Sequence, residues 1–160
     1  GQGLLVGVEH RPDVLDDVDY PDALTVADVN GDGLRDVLVA GEDGTSGNTL
    51  QVWLRRASGR FAAPRVQQLV QFATTGIAVG DVDLDGRPDA VLSGCCGVAF
   101  TATLQGKGNG KFGPEQFLPV NVSGSRPDLV DLDGDGRPEL LIGIEGGAGI
   151  ALLRGMPGAP

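Results

Sequence analysis

The sequence predicts an all-β protein built from three four-stranded antiparallel sheets, one for each copy of a repeat of about 50 residues. An acidic loop occurs three times, and its copies start 53 and then 50 residues apart. Short apolar runs flank each copy, and no segment shows a convincing helical period. The chain also has 27 glycines and 10 prolines among its 160 residues, which is typical of a turn-rich protein.

Each acidic loop has oxygen-bearing side chains at positions 1, 3, 5 and 9 and glycine at position 6. The three copies are residues 28–36, 81–89 and 131–139. Side chains at alternate positions can turn toward one point only if the backbone curls tightly, and glycine permits that curl because it adopts positive φ without a Cβ clash. Calcium takes roughly six to eight oxygen ligands in irregular geometry. The pattern therefore predicts about three calcium sites.

The predicted ligands are the side chains at positions 1, 3, 5 and 9 and the backbone carbonyl at position 7. The residues at position 7 therefore act through the main chain and not through their side chains. In chain order the predicted ligands are Asp28, Asn30, Asp32, Leu34, Asp36, Asp81, Asp83, Asp85, Arg87, Asp89, Asp131, Asp133, Asp135, Arg137 and Glu139.

The same residues exclude two other loop types. An EF-hand requires a bidentate glutamate at position 12, where the three copies carry Val39, Leu92 and Ile142. A phosphate-binding P-loop requires Gly-Lys-Ser/Thr, which the sequence lacks. Two alternatives stay open, namely an Asx-rich turn without an ion and a magnesium site. The loops hold eleven acids, and carboxylates a few ångströms apart oppose joint ionisation, so a bound cation is favoured.

The charge balance limits the partners of the chain. The net charge is −10, and eleven of the 22 acids lie in the loops, so three calcium ions would leave about −4. Nucleic acid and anionic membranes require clustered Lys and Arg, so neither is an expected partner. No apolar run approaches the roughly 20 residues of a membrane span, so no membrane insertion is expected. Low-affinity calcium sites suit the calcium concentration outside cells, which predicts a secreted or cell-surface protein.

The apolar runs predict the strands. One run precedes each loop, a second follows it, and a third comes later in the repeat. In the first two repeats a turn and a Gly-x-Phe segment ending in proline come next, which makes about four strands per repeat. The predicted strands are residues 23–28, 36–40, 50–54, 76–81, 89–93, 99–104, 127–131, 139–143 and 149–153. Four short strands in a repeat of this length are typical of β-propeller blades.

The pattern Asp-x-Asp/Asn-x-Asp-Gly-x-x-Asp/Glu between two strands, followed by the Gly-x-Phe segment, resembles the FG-GAP/VCBS-type repeat. Such repeats build β-propellers in integrin α subunits and in many secreted bacterial proteins. The resemblance implies one calcium site in the turn between the first two strands of each blade. It implies a single domain, residues 1–160, with repeats of about 19–70, 71–118 and 119–160. Glu139 departs from the usual Asp, and three repeats are fewer than the roughly four to eight blades of closed propellers.

The two ends of the chain raise the question of assembly. Only 21 residues follow Glu139, so the third repeat lacks its outermost strand. Residues 1–18 could supply that strand through the apolar run 4–8, either in cis or in trans. Three arrangements stay open: a strand-exchanged oligomer or filament, part of a larger propeller, and a self-contained unit. The expected partner is a second copy or another extracellular protein.

Three further residue types, cysteine, histidine and tryptophan, have side chains that could support chemistry or binding. Cys95 and Cys96 have Cα atoms about 3.8 Å apart, below the usual disulfide range of about 4.4–6.8 Å, so they form either a strained vicinal disulfide or two free thiols. His10 is interpreted as a surface-loop residue and not as part of a catalytic triad. Trp53 alternates with its neighbours in a strand, which predicts that it is packed and is not a sugar platform.

The sequence as a whole predicts a non-enzymatic, extracellular calcium-binding protein with a structural, adhesion or assembly role. No acid/base pair stands out beyond the carboxylates assigned to metal. The alternative is a carbohydrate-binding module, or an accessory propeller of a secreted polysaccharide-degrading enzyme, with a glycan as its partner. The fold does not decide between them, because propellers host many functions.

Overall fold

The structure is a computed structural model that describes residues 15, 20–42, 44, 47–70, 73–94, 99–120, 124–144 and 149–154. Within these ranges no helix is long and apolar enough to cross a lipid bilayer. The same ranges contain eleven β-strands: β1 Tyr20–Ala27, β2 Asp36–Glu42, β3 Asn48–Trp53, β4 Arg65–Gln68, β5 Thr74–Gly80, β6 Asp89–Gly94, β7 Phe100–Leu104, β8 Gln116–Phe117, β9 Gly124–Val130, β10 Glu139–Ile144 and β11 Ile150–Leu153.

The strands form three antiparallel sheets, and each sheet follows the chain order. The first sheet is β1-β2-β3-β4, the second is β5-β6-β7-β8, and the third is β9-β10-β11. Every apolar run predicted from the sequence overlaps one of these strands. The fourth strands, β4 and β8, begin just after Pro64 and Pro114. The all-β prediction is therefore confirmed for the described residues.

The third sheet differs from the expectation of four strands in every sheet. Within residues 124–144 and 149–154 it has three strands. The residues predicted to complete a terminal blade, 1–18, lie outside the described residues except for Leu15, so that prediction stays a prediction.

The middle strands of the first two sheets are buried on both faces. Every residue of β3, β6 and β7 is buried, which explains why these segments are nearly continuous runs of apolar and small residues. Trp53 lies at the end of β3 and is 6% exposed. The prediction that Trp53 is packed is therefore confirmed.

The three sheets stack face on face in chain order. Because side chains alternate along a strand, each sheet has a front face, turned toward the sheet that follows it in the chain, and a back face. The front face of the first sheet packs on the back face of the second, and these residues form one apolar core: Leu38, Ala40, Leu50 and Val52 from the front face, and Ile77, Ala90, Leu92, Ala102 and Leu104 from the back face.

A second core joins the second and third sheets in the same manner. Ala78 and Val91 of the second sheet's front face pack with Leu140 and Ile142 of the third sheet's back face. The second sheet is thus covered on both sides. The stack places the three predicted loops one after another, because each loop joins the first two strands of its own sheet.

The first strands of the three sheets lie against one another. β1 packs on β5, and β5 packs on β9. Each of these strands has a bulge or an irregular register near its start, at Pro21/Ala23, Thr74/Gly76 and opposite Leu141/Gly143. A bulge bends a strand and increases its twist, which suits strands that converge.

The approach of β5 to β9 is close enough to require glycine. A Cβ atom added to Gly76 would lie 2.4 Å from Pro127 Cδ and 2.6 Å from Arg126 Cα. Both distances are far below van der Waals contact, and the second involves backbone. Gly76 therefore sets the separation of the second and third sheets at this point.

We expect Gly76→Ala to destabilise the protein by about 1–3 kcal/mol, because overpacking against backbone cannot be relieved by a side-chain rotation. The measurement is the midpoint of urea unfolding. Gly113→Ala is the matched control, because its added Cβ would meet its neighbours at 3.6–3.9 Å, which is ordinary contact. Equal midpoints for the two variants would contradict the close approach.

Candidate metal centres

Each of the three acidic loops lies where it was predicted, in the turn between the first two strands of a sheet. Residues 28–36 join β1 to β2, residues 81–89 join β5 to β6, and residues 131–139 join β9 to β10. Position 9 is also the first residue of the following strand. The loops differ in composition but share one pattern of hydrogen bonds.

The carboxylate at position 1 organises the turn. Asp28 accepts hydrogen bonds from the backbone N–H of Gly31, Asp32 and Gly33 at 2.8, 3.2 and 2.7 Å. Asp81 and Asp131 accept the equivalent bonds from positions 5 and 6 at 2.9–3.1 Å. The backbone therefore wraps around one carboxylate in each loop.

Glycine at position 6 makes this wrap possible. Its φ angle is +83°, +84° and +85° in the three loops, a left-handed conformation that costs other residues strain. The glycine N–H then points at the carboxylate of position 1 in every copy. The sequence argument for this glycine thus agrees with the backbone angles.

Positions 3 and 5 turn inward through local Asx hydrogen bonds. The side-chain oxygen of Asn30, Asp83 and Asp133 accepts the N–H of position 5 at 3.0, 3.1 and 3.2 Å. The carboxylate at position 5 accepts the N–H of position 7 at 2.8 Å in all three loops. Hydrogen bonds of this kind also form without a metal, so they explain the shape of the loop but not its charge.

Position 7 was predicted to contribute a backbone carbonyl. The structure shows that the N–H groups of these residues are used, as donors to position 5. Arg87 also places its Nη1 3.7 Å from Asp85 Oδ2. This pair is exposed and therefore contributes little to stability. The carbonyl contribution of Leu34, Arg87 and Arg137 stays a prediction.

The acid at position 9 has a second role that the sequence did not reveal. Asp36, Asp89 and Glu139 are all buried. Each accepts the N–H of position 2 of its own loop, at 3.1, 3.0 and 2.8 Å. In the first two sheets the other carboxylate oxygen accepts an N–H from beyond the third strand, from Arg55 at 2.8 Å and from Gly106 at 2.7 Å.

These bonds tie the first two loops to the far sides of their sheets. Gly106 fits this position because an added Cβ would lie 1.9 Å from the carbonyl oxygen of Pro88. In the sequence, this connection between the loop and the far side of the sheet is indicated by an acid at the first position of an otherwise apolar strand. The partner N–H lies 17 or 19 residues away, and neither Gly106 nor Arg55 carries a side-chain signal for it.

Positions 1, 3 and 9 come together in space. Oxygens of Asp81, Asp83 and Asp89 lie within 4.8 Å of one another, and so do oxygens of Asp131, Asp133 and Glu139. Either group could hold a metal ion. In the first loop the same positions carry two carboxylates, Asp28 and Asp36, together with the amide of Asn30. The position 5 acids are not members of the two groups.

The second group is further positioned by a neighbouring side chain. Gln105 Nε2 donates to Asp83 Oδ2 at 3.1 Å, while Asp83 Oδ1 accepts the N–H of Asp85.

The first loop has a contact to the next repeat, because Gly110 N–H donates to the Val29 carbonyl at 3.3 Å. The loops are therefore held by the body of the protein and not only by their own turns.

Burial shifts the acid at position 9 toward its neutral form. Desolvation raises the pKa of Asp36 and of Asp89 above the ordinary value of 3.8, although two backbone N–H groups oppose the shift in each case. The charges of other loop acids, Asp32 and Asp28 for the one and Asp83 and Asp85 for the other, add to the rise in pKa. A bound cation would offset both causes.

Asp28 behaves in the opposite way. Desolvation raises its pKa, but hydrogen bonds from the backbone N–H groups of Gly33, Gly31, Asn30 and Asp32 outweigh that effect and lower the pKa below 3.8. Its carboxylate is therefore held in the charged form. The first loop thus combines a readily ionised acid, Asp28, with a buried acid, Asp36, whose negative charge is disfavoured by desolvation.

The donor set fits a hard divalent cation. Every donor is a carboxylate or amide oxygen, the kind of ligand that calcium and magnesium prefer. The replacement of Asp by Glu139 at position 9 keeps the third group intact. Cys95 and Cys96, the possible vicinal disulfide, and His10, interpreted as a surface-loop residue, lie outside the described residues.

Residues 28–92 match a family model described as an FG-GAP-like repeat. The match begins at the first position of the first acidic loop. It runs through β2, β3, β4, β5 and the second loop and ends within β6. The resemblance inferred from the loop pattern is confirmed over this part of the chain.

Proposed function

Because residues 28–92 carry an FG-GAP-like repeat, we propose that this β-rich repeat protein binds calcium in its three acidic loops and acts as an extracellular structural or adhesion module. One observation carries the proposal. In two loops, oxygens of three carboxylates lie within 4.8 Å of one another. Like charges at that separation oppose joint ionisation unless a cation compensates them.

The choice of calcium rests on the tolerance of the site. Position 3 is Asn or Asp, and position 9 is Asp or Glu. Calcium accepts such variation because its coordination is irregular, whereas magnesium demands near-octahedral geometry and retains several of its waters. We therefore assign the sites to calcium, with positions 1, 3 and 9 as the core of the ligand set and positions 5 and 7 completing it.

The proposed role of the ion is structural. It would compensate the buried carboxylate at position 9. In the first two sheets that carboxylate also accepts the N–H beyond the third strand, so there the ion would stabilise the connection between the first three strands. Positions 1 and 3 would bind the ion from the side of the turn. No catalytic step is part of this role.

The arrangement of the sheets supports the extracellular module. Three sheets stack face on face with their first strands together, as blades do in a propeller. We propose that the sheets are propeller-type blades. Sites that bind calcium weakly would be filled at the millimolar calcium concentration outside cells, and we place the protein there.

Calorimetric titration of the metal-free protein tests the proposal. We expect about three calcium ions per chain, and weaker binding of magnesium at the same sites. Asp83→Ala should remove or strongly weaken one site, because it deletes one of three clustered carboxylates. Asp22→Ala, an exposed acid outside the loops, has the same charge change and should leave all sites intact. Absence of calcium binding at millimolar concentration would refute the assignment.

A further inference from the structure

A groove with a cationic rim lies between the first two sheets, beside the edge strand β4. Its volume is about 370 Å³, which is within the range of roughly 300–1,000 Å³ found for small-molecule sites. Its lining includes three cations and three buried apolar residues, namely Arg65, Lys107, Lys111, Leu50, Val52 and Phe112. None of its lining residues, all of which belong to the described part of the chain, is acidic. The chain as a whole has a net charge of −10, so this grouping of cations runs against its charge balance.

The first sheet contributes Arg65. In the register of β3 and β4, Arg65 pairs with Val52, and residues directly opposite each other in an antiparallel pair share one face. Arg65 therefore lies on the front face, next to a residue of the core between the first two sheets. Its aliphatic stem can cover apolar surface there, but its charge remains at the margin of that core.

The guanidinium of Arg65 is held in place without a counter-charge. A Cβ atom added to Gly110 would lie 2.7 Å from Arg65 Nη1, so the two are in close contact. Nη1 is buried and has no hydrogen-bond partner among the described residues. In the same residues the one ion pair joins Arg87 to Asp85, so Arg65 has no carboxylate partner there. Burial without an acceptor is costly, and an anion in the groove would offset that cost.

The second sheet contributes the two lysines from the hairpin that follows β7. Gly106 and Phe112 pair across this hairpin, and Lys107 N–H donates to the Lys111 carbonyl at 2.9 Å. The lysines therefore lie opposite each other, and both are exposed. Like charges directly opposite each other are destabilising. Arg65 adds a third positive charge across the groove, so a bound anion would relieve the repulsion among all three.

The hairpin is fixed to the first sheet by two hydrogen bonds. Gly110 N–H donates to the Val29 carbonyl at 3.3 Å, and Gln67 Nε2 of β4 donates to the Gly113 carbonyl at 2.9 Å. The groove is therefore formed before any ligand enters it. A ligand that binds a preformed site does not bear the entropic cost of ordering it.

We propose that this groove binds a small organic anion, a carboxylate or sulfonate group carried on a compact apolar body. The planar guanidinium of Arg65 suits an oxyanion, and the two lysines add positive charge at the rim. Leu50, Val52 and Phe112 provide the apolar contact that such a ligand has and an inorganic ion lacks. No loop acid lines the groove, so the inference does not rest on the calcium proposal.

Fluorescence titration with anilinonaphthalene sulfonate tests the site, because this probe carries a sulfonate on aromatic rings and brightens in apolar surroundings. The titration is made in saturating calcium, so that the acidic loops are in one state throughout. We expect one probe molecule per chain, displaced by benzoate. Benzyl alcohol, which has the same ring without the charge, should displace it at least about tenfold less well, because it lacks the charge-assisted hydrogen bonds. Inorganic sulfate should also be the weaker competitor.

Substitutions identify the groove as the place of binding. Arg65→Gln should raise the dissociation constant of the probe at least about tenfold. Lys111→Gln should raise it about threefold, because an exposed charge is screened by water. Arg60→Gln is the matched control. Arg60 is exposed, its carbonyl accepts the Arg56 N–H at 2.8 Å in the equivalent hairpin of the first sheet, and it does not line the groove.

Several results would overturn the inference. A wild-type protein that binds calcium but not the probe would refute the groove and leave the calcium proposal standing. Displacement by benzyl alcohol as readily as by benzoate would show that the cations take no part. Equal dissociation constants for Lys111→Gln and Arg60→Gln would place the probe elsewhere, and this comparison decides the matter even if Arg65→Gln does not fold. Circular dichroism and a calcium titration verify that each variant is otherwise intact.

Discussion

Asp89→Ala is expected to destabilise the metal-free protein by about 2–4 kcal/mol, because it leaves two backbone N–H donors without partners and each such donor costs about 1–3 kcal/mol. The two donors are Val82, at 3.0 Å, and Gly106, at 2.7 Å. Asp89 is fully buried, so water cannot replace the lost acceptor without opening the sheet.

The pKa of Asp89 adds a second expectation. Desolvation raises this pKa, so the ionised carboxylate is disfavoured in the metal-free protein. Stability gained from this group is present at low pH and is lost as the pH rises through its raised pKa. At neutral pH, removing the charge therefore offsets part of the loss of hydrogen bonds. With calcium bound that offset disappears, and the cost of Asp89→Ala should be larger.

Urea unfolding in chelator and in calcium measures both effects. Asp128→Ala is the control, since Asp128 is exposed and its carboxylate accepts only the N–H of the next residue, Leu129, at 3.0 Å. A cost for Asp89→Ala that is no greater than for this control would show that the link to the third strand contributes little. If Asp89→Ala destabilised the protein equally in calcium and in chelator, Asp89 would not contribute to calcium binding.

Removal of calcium from the wild-type protein is expected to lower its melting temperature by roughly 10 °C or more. A ligand at 100 times its dissociation constant stabilises the folded state by about 2.7 kcal/mol per site, and 1 kcal/mol shifts the midpoint by about 2–4 °C in a chain of this size. If several sites are filled, the shift in melting temperature would exceed that of a single site.

Thermal melting in excess chelator, with calcium or magnesium then added back, makes the comparison. Calcium should restore the melting temperature more fully than magnesium at equal concentration. Asp83→Ala should retain a smaller calcium-dependent shift, because two loops remain unaltered. An unchanged melting curve in chelator would show that the loops are Asx turns that fold without an ion.

The loops show how much of the structure can be predicted from local sequence patterns. Their positions, the glycine at position 6 and the inward turn of positions 1, 3 and 5 all follow from hydrogen bonds between residues no more than five apart. The same reasoning located the strands, because two-sided burial leaves a continuous apolar run.

The sequence by itself thus determined an all-β repeat chain and the residues of its acidic loops, and it predicted calcium as the cation that they bind. Only the tertiary structure decided which acids lie within 4.8 Å of one another. It also decided that Asp89 accepts the N–H of Gly106 and that Pro127 packs directly against Gly76. These contacts join residues far apart in the chain. Their geometry depends on how sheets pack and how strands register, and no local pattern of residue types encodes that.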